Sequence, residues 1–278
     1  MNNLLGRLLV LVLVLYAGLP VGPAMSMTPP GACQAADELA GTATPMPKVA
    51  AALRPGAVLN ILAVGSATMF GPEASLGPGT LTSQAFGDGG KLATQSKLFT
   101  GPASERAFPL QMAKELRSAV PDLDIRMTVR GGRSLLATDM LDLLRSELAA
   151  RHYDLVLWQT GTVEAVRNLP PGEFGQTLAD GAEAVADAGA NLVLIDPQFS
   201  RFLQTSSNVE PYEQALQQVA AMPGVMLFRR YDLMHNWANE GQIDLERTPR
   251  SDRQRVIETL HACLGKHLAR LIIDSAHL

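Results

Sequence analysis

Two cysteines in 278 residues are too few for a disulfide scaffold or a multi-cysteine metal site. Charge is also modest: 18% of residues are charged, the formal net charge is −4, and no run of Lys or Arg forms a phosphate-neutralising stripe. The sequence therefore excludes nucleic acid as a partner. The five histidines show neither H-E-x-x-H nor i, i+4 pairing, so no metal site is expected, and no cofactor either. A dinucleotide fingerprint is missing, because the first candidate turn reads Gly65-Ser66-Ala67-Thr68-Met69-Phe70-Gly71. Gly87-Asp88-Gly89-Gly90-Lys91 lacks the spacing and the Ser or Thr of a P-loop. No internal repeat is visible. What is present is a 47% apolar chain long enough to bury a sizeable core, with 24 Gly and 18 Pro implying long loops.

The amino-terminal segment has one early charge, Arg7, before the apolar run Leu8 to Leu19. That run is about 12 residues, short of the roughly 20 needed to span a bilayer. Ala24 and Ser26 fit the −3 and −1 positions of a signal-peptidase site, so residues 1–26 read as a signal peptide, with an uncleaved anchor as the alternative. Pro30 disfavours Cys33 as a lipoprotein site. The mature protein is expected to be soluble, without a membrane span, and periplasmic or secreted. In an oxidising compartment Cys33 and Cys263 are expected to pair, the alternative being two buried free thiols.

Residues 27–55 are Pro- and Ala-rich and read as an arm on the domain, which occupies 56–278. Strand signals at Val58–Val64, Leu123–Val129, Tyr153–Trp158, Asn191–Ile195 and Val225–Phe228 alternate with helical spacing. The helical segments are Phe108–Ser118, Leu135–Leu148, Glu173–Ala188, Pro211–Ala221, Tyr231–Asn239 and Arg253–Ser275. Strands separated by helices predict βαβ units and a parallel sheet covered on both faces. Residues 72–106 show no sustained period and read as an insertion loop, either a lid or a disordered stretch. Asp232 and His235 resemble an acid–base pair, but their place in an amphipathic helix favours a surface role.

Five segments taken together resemble an SGNH (GDSL-type) hydrolase of the exported bacterial kind. They are Leu59–Ser66, Leu155–Thr162, Leu194–Gln198, Leu227–Trp237 and Ala262–Leu264, in the family's order across residues 33–275. The resemblance implies an α/β fold, a flavodoxin-like three-layer α/β/α sandwich with a central parallel sheet, and a site at the carboxyl ends of the strands. It also implies acyl transfer by a Ser nucleophile, a His base oriented by Asp, and Gly and Asn donors in an oxyanion hole.

Each of those blocks is altered here. Gly65 and Gly71 fit the ends of the first block and put Ala67 at the nucleophile position, with Ser66 one place early. The second block reads Val129-Arg130-Gly131-Gly132-Arg133-Ser134, so Ser134 takes the oxyanion Gly position. In the third, Gly161-Thr162-Val163 replaces the Asn donor by an isopropyl group. Counting back from Cys263 puts the Asp-His block on Asp252 and Arg255, and a guanidinium cannot accept the proton.

Two readings follow. In the first, the chain has lost esterase activity and acts as a binding or accessory protein of the cell envelope. Its partner is then an envelope glycan or an acylated small molecule, and Arg133, Gln198 and Arg255 are the candidate binding residues. Arg133 and Arg255 would suit a carboxylate or phosphate; the alternative is that they face solvent or pair with Asp252 and Glu258. In the second, it is an active esterase or deacylase with displaced machinery. Ser66, Thr68 or Ser134 would be the nucleophile, His261 or His235 the base, and Asp252 or Asp196 its orienting acid. Oligomeric state is not legible.

Overall fold

Successive residues of the central strands serve two different cores. Along β1 (Val58–Gly65), Leu59, Ile61 and Ala63 join one apolar cluster while Leu62 and Val64 join the other. Past Asn60 the strand has no polar position, and a run that alternates between two cores in this way must be buried on both faces. The computed structural model describes residues 33–75, 97–99 and 101–277. The expected signal segment 1–26, the start of the expected arm, Gly87–Lys91 and most of 72–106 lie outside the described residues.

After a turn of 3-10 helix come α1 (Pro47–Ala52) and β1. A second 3-10 turn (Ala67–Met69), α2 (Pro72–Ser75), β2 (Lys97–Leu98), α3 (Phe108–Ala119) and β3 (Asp124–Arg133) follow. Next are α4 (Ala137–Ala150), β4 (Leu155–Gln159), α5 (Thr162–Arg167), α6 (Pro171–Asp187) and β5 (Asn191–Ile195). The chain continues with α7 (Arg201–Ser206), α8 (Glu210–Ala220), β6 (Val225–Phe228), α9 (Arg230–Asn239) and α10 (Arg253–Ala276).

The sheet order is β2-β3-β1-β4-β5-β6, with β2 antiparallel to β3 and the other five strands parallel. Omitting β2, this is the doubly wound flavodoxin order, with its switch point between β1 and β4. Helices α1, α3, α9 and α10 pack on one face and α4, α6 and α8 on the other, giving the expected three-layer α/β/α sandwich.

The stretch 72–106 is less irregular than its sequence suggests, since it supplies α2 and the edge strand β2. Pairing with β2 (Lys97 opposite Arg133, Leu98 opposite Gly132) carries β3 four residues past its apolar end at Val129. Gly131 fits there because a side chain would overlap the Gly65 carbonyl, and its φ of 146° is one that L-residues rarely adopt. The short helices α5 and α7 carry too few residues for a helical period to register.

Helix α6 buries Phe174, Leu178, Ala182 and Val185 at helical spacing, and Gly181 admits the indole of fully buried Trp158. Gly181→Ala would gain about 1 kcal/mol of helix propensity. Its methyl would overlap the Trp158 ring, and overpacking a closed core costs about 1–3 kcal/mol. The expected result is net destabilisation, read as a lower urea midpoint; an unchanged or raised midpoint would show that the ring can move aside.

The outer edge of β6 is covered by the amino-terminal strap. Arg229 N–H donates to the Ala40 carbonyl at 2.9 Å, and the Thr44 hydroxyl donates to the Val225 carbonyl at 3.1 Å. Covering an edge strand removes a template for unwanted pairing. Cys33 and Cys263 form a disulfide, with Cα atoms 5.0 Å apart, which ties the strap to α10.

Candidate functional site

The carboxyl ends of β1, β4, β5 and β6 converge on a polar cluster on the α3/α10 side of the sheet. Gly65 ends β1 close to Gln159, since a side chain at Gly65 would sit 2.9 Å from the Gln159 Cβ. Ser66 then leads into the turn that carries Ala67 and Thr68. Gln159, the last residue of β4, is buried and faces these hydroxyls. Its Nε2 donates to Ser66 Oγ at 2.6 Å, and Thr68 Oγ1 donates to its Oε1 at 2.7 Å. The two hydroxyl oxygens are 3.3 Å apart. Thr68 has given its one proton to Gln159, so Ser66 donates to Thr68 and the ring closes. Turning the carboxamide over would still leave both hydroxyls engaged. Among the described residues, no imidazole nitrogen bonds to either hydroxyl.

Arg230 lies beneath this ring, 1% exposed. Its guanidinium donates to Thr68 Oγ1 at 3.3 Å and to the Asp196 carbonyl at 2.8 Å, and its Nε has no partner among the described residues. Burial lowers its pKa to about 10, against the attraction of Asp196, so it stays charged at neutral pH. Asp196 follows β5, and its carboxylate accepts the Tyr231 N–H at 2.9 Å. Burial pushes its carboxyl well above the usual range, opposed by that hydrogen bond and by Arg230.

His261 is buried in α10, and its Nδ1 accepts the Phe108 N–H at 3.1 Å. Ala107, which precedes α3, has no capping side chain, so the imidazole serves the helix start instead. Burial, reinforced by the charge of Arg230, lowers the His261 pKa to about 3. With Nδ1 accepting, the proton sits on Nε2, which can only donate. In this state the ring is a very weak base.

The other residues singled out by sequence lie around this cluster. Ala67 is 7% exposed and offers only a methyl group. Ser134 has φ 58°, the left-handed conformation that favours Gly at this position. Val163 is half-buried in the first turn of α5. The next residue, Glu164, is buried and accepts the Ala137 N–H at 2.5 Å, capping α4; burial raises its pKa. Arg133 donates to the Ala74 carbonyl at 3.0 Å and lies 5.3 Å over the Phe99 ring. Asp252 and Arg255 pair with each other at 3.7 Å on the surface, with side chains 48% and 65% exposed. Arg255 thus has the surface pairing given above as the alternative to ligand binding. Gln198 is half-buried in the segment after β5. His235 meets Asn239 at 3.0 Å and Asp232 pairs with Arg229, which separates that acid from that base.

Sequence reading passed over Gln159, Arg230 and Glu164. Gln159 had a signal, a polar residue closing the apolar run Leu155–Trp158. Arg230 had none, because it is chemically identical to its half-buried neighbour Arg229.

No curated protein matches this chain. Several solved structures share its fold at low identity. One is the two-domain esterase CEX active on acetylated mannans, at 10% identity and TM-score 0.57, covering 88% of this chain and 57% of that one. This chain therefore spans little more than half of CEX. A catalytic mutant of Axe2, an acetylxylan esterase from Geobacillus stearothermophilus, aligns at 14% identity and TM-score 0.54, covering 79% and 95%. An α/β hydrolase from the metagenome of Lake Arreo, Spain, aligns at 14% identity and TM-score 0.50, covering 77% and 97%. The model of the Non-GDSL lipase-like family matches residues 92–278, more than half of the sequence. The chain belongs to the Non-GDSL lipase-like family, within the SGNH hydrolase superfamily.

Proposed function

We propose that this protein is an exported, non-hydrolytic binding protein of the cell envelope, built on an esterase scaffold. The observation that carries the reading is the closed ring of Ser66, Thr68 and Gln159. It leaves both hydroxyls that flank the nucleophile position without a base, while Ala67 has nothing to deprotonate. His261 could act as base only by giving up the Phe108 N–H and leaving its buried site. Removing the nucleophile or base of a triad costs on the order of a millionfold in turnover. Export is supported by the disulfide, and no helix among the described residues is long and apolar enough to cross a membrane.

The ligand class follows from where charge is already spent. The starts of α4 and α9 are natural anion sites. Each is already occupied by a buried carboxyl of the chain, Glu164 at Ala137 N–H and Asp196 at Tyr231 N–H. Arg133 is held by Ala74 and Phe99, and Arg255 by Asp252. The site is thus suited to a neutral polyhydroxyl or acylated ligand rather than a phosphate or carboxylate. The names of the structural neighbours, active on acetylated mannans and acetylxylan, make acetylated oligosaccharides the first probes. Fold alone does not transfer their activity.

Thermal unfolding with acetylated xylo- and manno-oligosaccharides tests this. At a hundredfold excess over Kd a ligand stabilises by about 2.7 kcal/mol, or roughly 5–10 °C in a domain of this size. The expected result is such a rise with no acetate released, and no rise with phosphate. Acetate release abolished by Ser66→Ala would overturn the reading, and so would a Tm unmoved by every neutral glycan.

A further inference from the structure

Residues 33–39 are held from outside the core. The half-buried Cys33 has φ 73°, a conformation L-residues rarely adopt, and its carbonyl accepts from His267 Nε2 at 2.9 Å. Trp237 Nε1 donates to the Gln34 carbonyl at 3.0 Å. Ala35 and Leu39 pack at the margin of one apolar cluster, and full burial begins at Ala40, with Met46 and Val49 beyond it. A cleft of about 230 Å³ lies between the strap, which contributes Glu38 and residues 40–43, and the α10 residues His267, Arg270, Leu271 and Asp274. The covalent tie is asymmetric, because Cys263 is fully buried in α10 and Cys33 is not.

We propose that the Cys33–Cys263 disulfide is a reducible latch, whose opening releases residues 33–39, the cleft-lining Glu38 among them, while the α/β domain stays folded. The co-reactant is a dithiol. One of its thiolates attacks the sulfur of the half-buried Cys33 rather than that of the fully buried Cys263, forming a mixed disulfide and expelling the Cys263 thiolate, which takes up a proton. The second thiol of the reductant displaces Cys33 as its thiol. The dithiol is oxidised to a disulfide by two electrons and the protein gains two thiols. Both apolar clusters are assembled from the sheet and its helices, with Cys33, Ala35 and Leu39 only at the margin of one. Loss of the tie therefore frees the strap without removing the core.

Hydrogen–deuterium exchange on the full chain tests the latch, comparing the oxidised protein, the dithiothreitol-reduced and alkylated protein, and Cys33→Ser. In the reduced form and in the variant, peptides spanning 34–39 should exchange at least tenfold faster. Peptides spanning 58–65 and 191–195 should stay within twofold. Trp237 emission should shift in step, because its indole N–H loses the Gln34 carbonyl. Unchanged exchange at 34–39 would overturn the proposal, showing a strap held without the bond. Lost protection in the strands of either form would overturn it equally, making the disulfide a staple of the whole fold.

Discussion

Lowering the pH from 7.5 to 4.5 should destabilise the protein by about 3 kcal/mol through one buried imidazole, at about 1.4 kcal/mol per pH unit. His261 titrates near 6.5 when unfolded and near 3 when folded. Between those values the unfolded chain binds the extra proton, so stability falls as the pH falls through this window. Above pH 6.5 the contribution is constant. The lowered carboxyls of Glu147 and Asp244 act in the same direction at more acidic pH. The raised carboxyls of Asp196 and Glu164 act oppositely, because there the folded state binds the proton. His261→Gln separates these contributions, since it removes the imidazole and leaves every carboxyl in place. At pH 7.5 the variant should be less stable by about 1–2 kcal/mol, the cost of a weakened buried hydrogen bond. By pH 4.5 the order should invert, because only the wild type carries the imidazole penalty. Urea unfolding at four pH values checks this, and parallel profiles for the two proteins would contradict it.

Arg230→Met should cost about 3–5 kcal/mol, the usual price of breaking a buried charged arrangement by removing one member. Methionine keeps much of the volume, but Asp196 loses its nearby cation and its carbonyl loses a donor. Asp196→Asn alone should also destabilise, by leaving Arg230 charged among neutral acceptors. The double variant should be less destabilised than the sum of the two, with a coupling of about 1–3 kcal/mol. Arg230 also helps to depress the His261 pKa, so in Arg230→Met the folded pKa should rise. The acid loss should still begin near pH 6.5 but end at a higher pH and be smaller; an unchanged profile would show that attribution to be wrong.

The fold was legible because its strands are short apolar runs with sharp ends. Val58–Val64 stops at Gly65 and Asn191–Ile195 stops at Asp196-Pro197, and these boundaries agree with the structure to within a residue. Helices of ten residues or more announced themselves by period. The six-residue α5 and α7 could not, and β2 depends on pairing with a strand that its own two residues do not specify. At the site, Ala67, Ser134 and Val163 were placed by their spacing from Gly65, Gly131 and Gly161. Each of these glycines has a physical reason to stay: a tight approach to Gln159, an overlap with the Gly65 carbonyl, and a φ of 93°.

What the sequence could not show is how the polar side chains were redeployed. Gln159 could equally end a strand in solvent, and nothing local separates the buried Arg230 from the half-buried Arg229. His261 and Phe108 are 153 positions apart, and the imidazole's role as a helix cap exists only once α10 crosses α3. Gly265 permits that crossing, because a side chain there would come within 2.7 Å of the Met112 nitrogen.

A non-hydrolytic site requires Ser66 to be an unactivated hydroxyl, and its reactivity toward a fluorophosphonate measures that directly. Such reagents modify a serine whose proton is taken by a neighbouring base. Intact mass after prolonged exposure of the full chain should show no adduct, with an active serine esterase as positive control. A stoichiometric adduct mapped to Ser66, and absent from Ser66→Ala, would contradict the account.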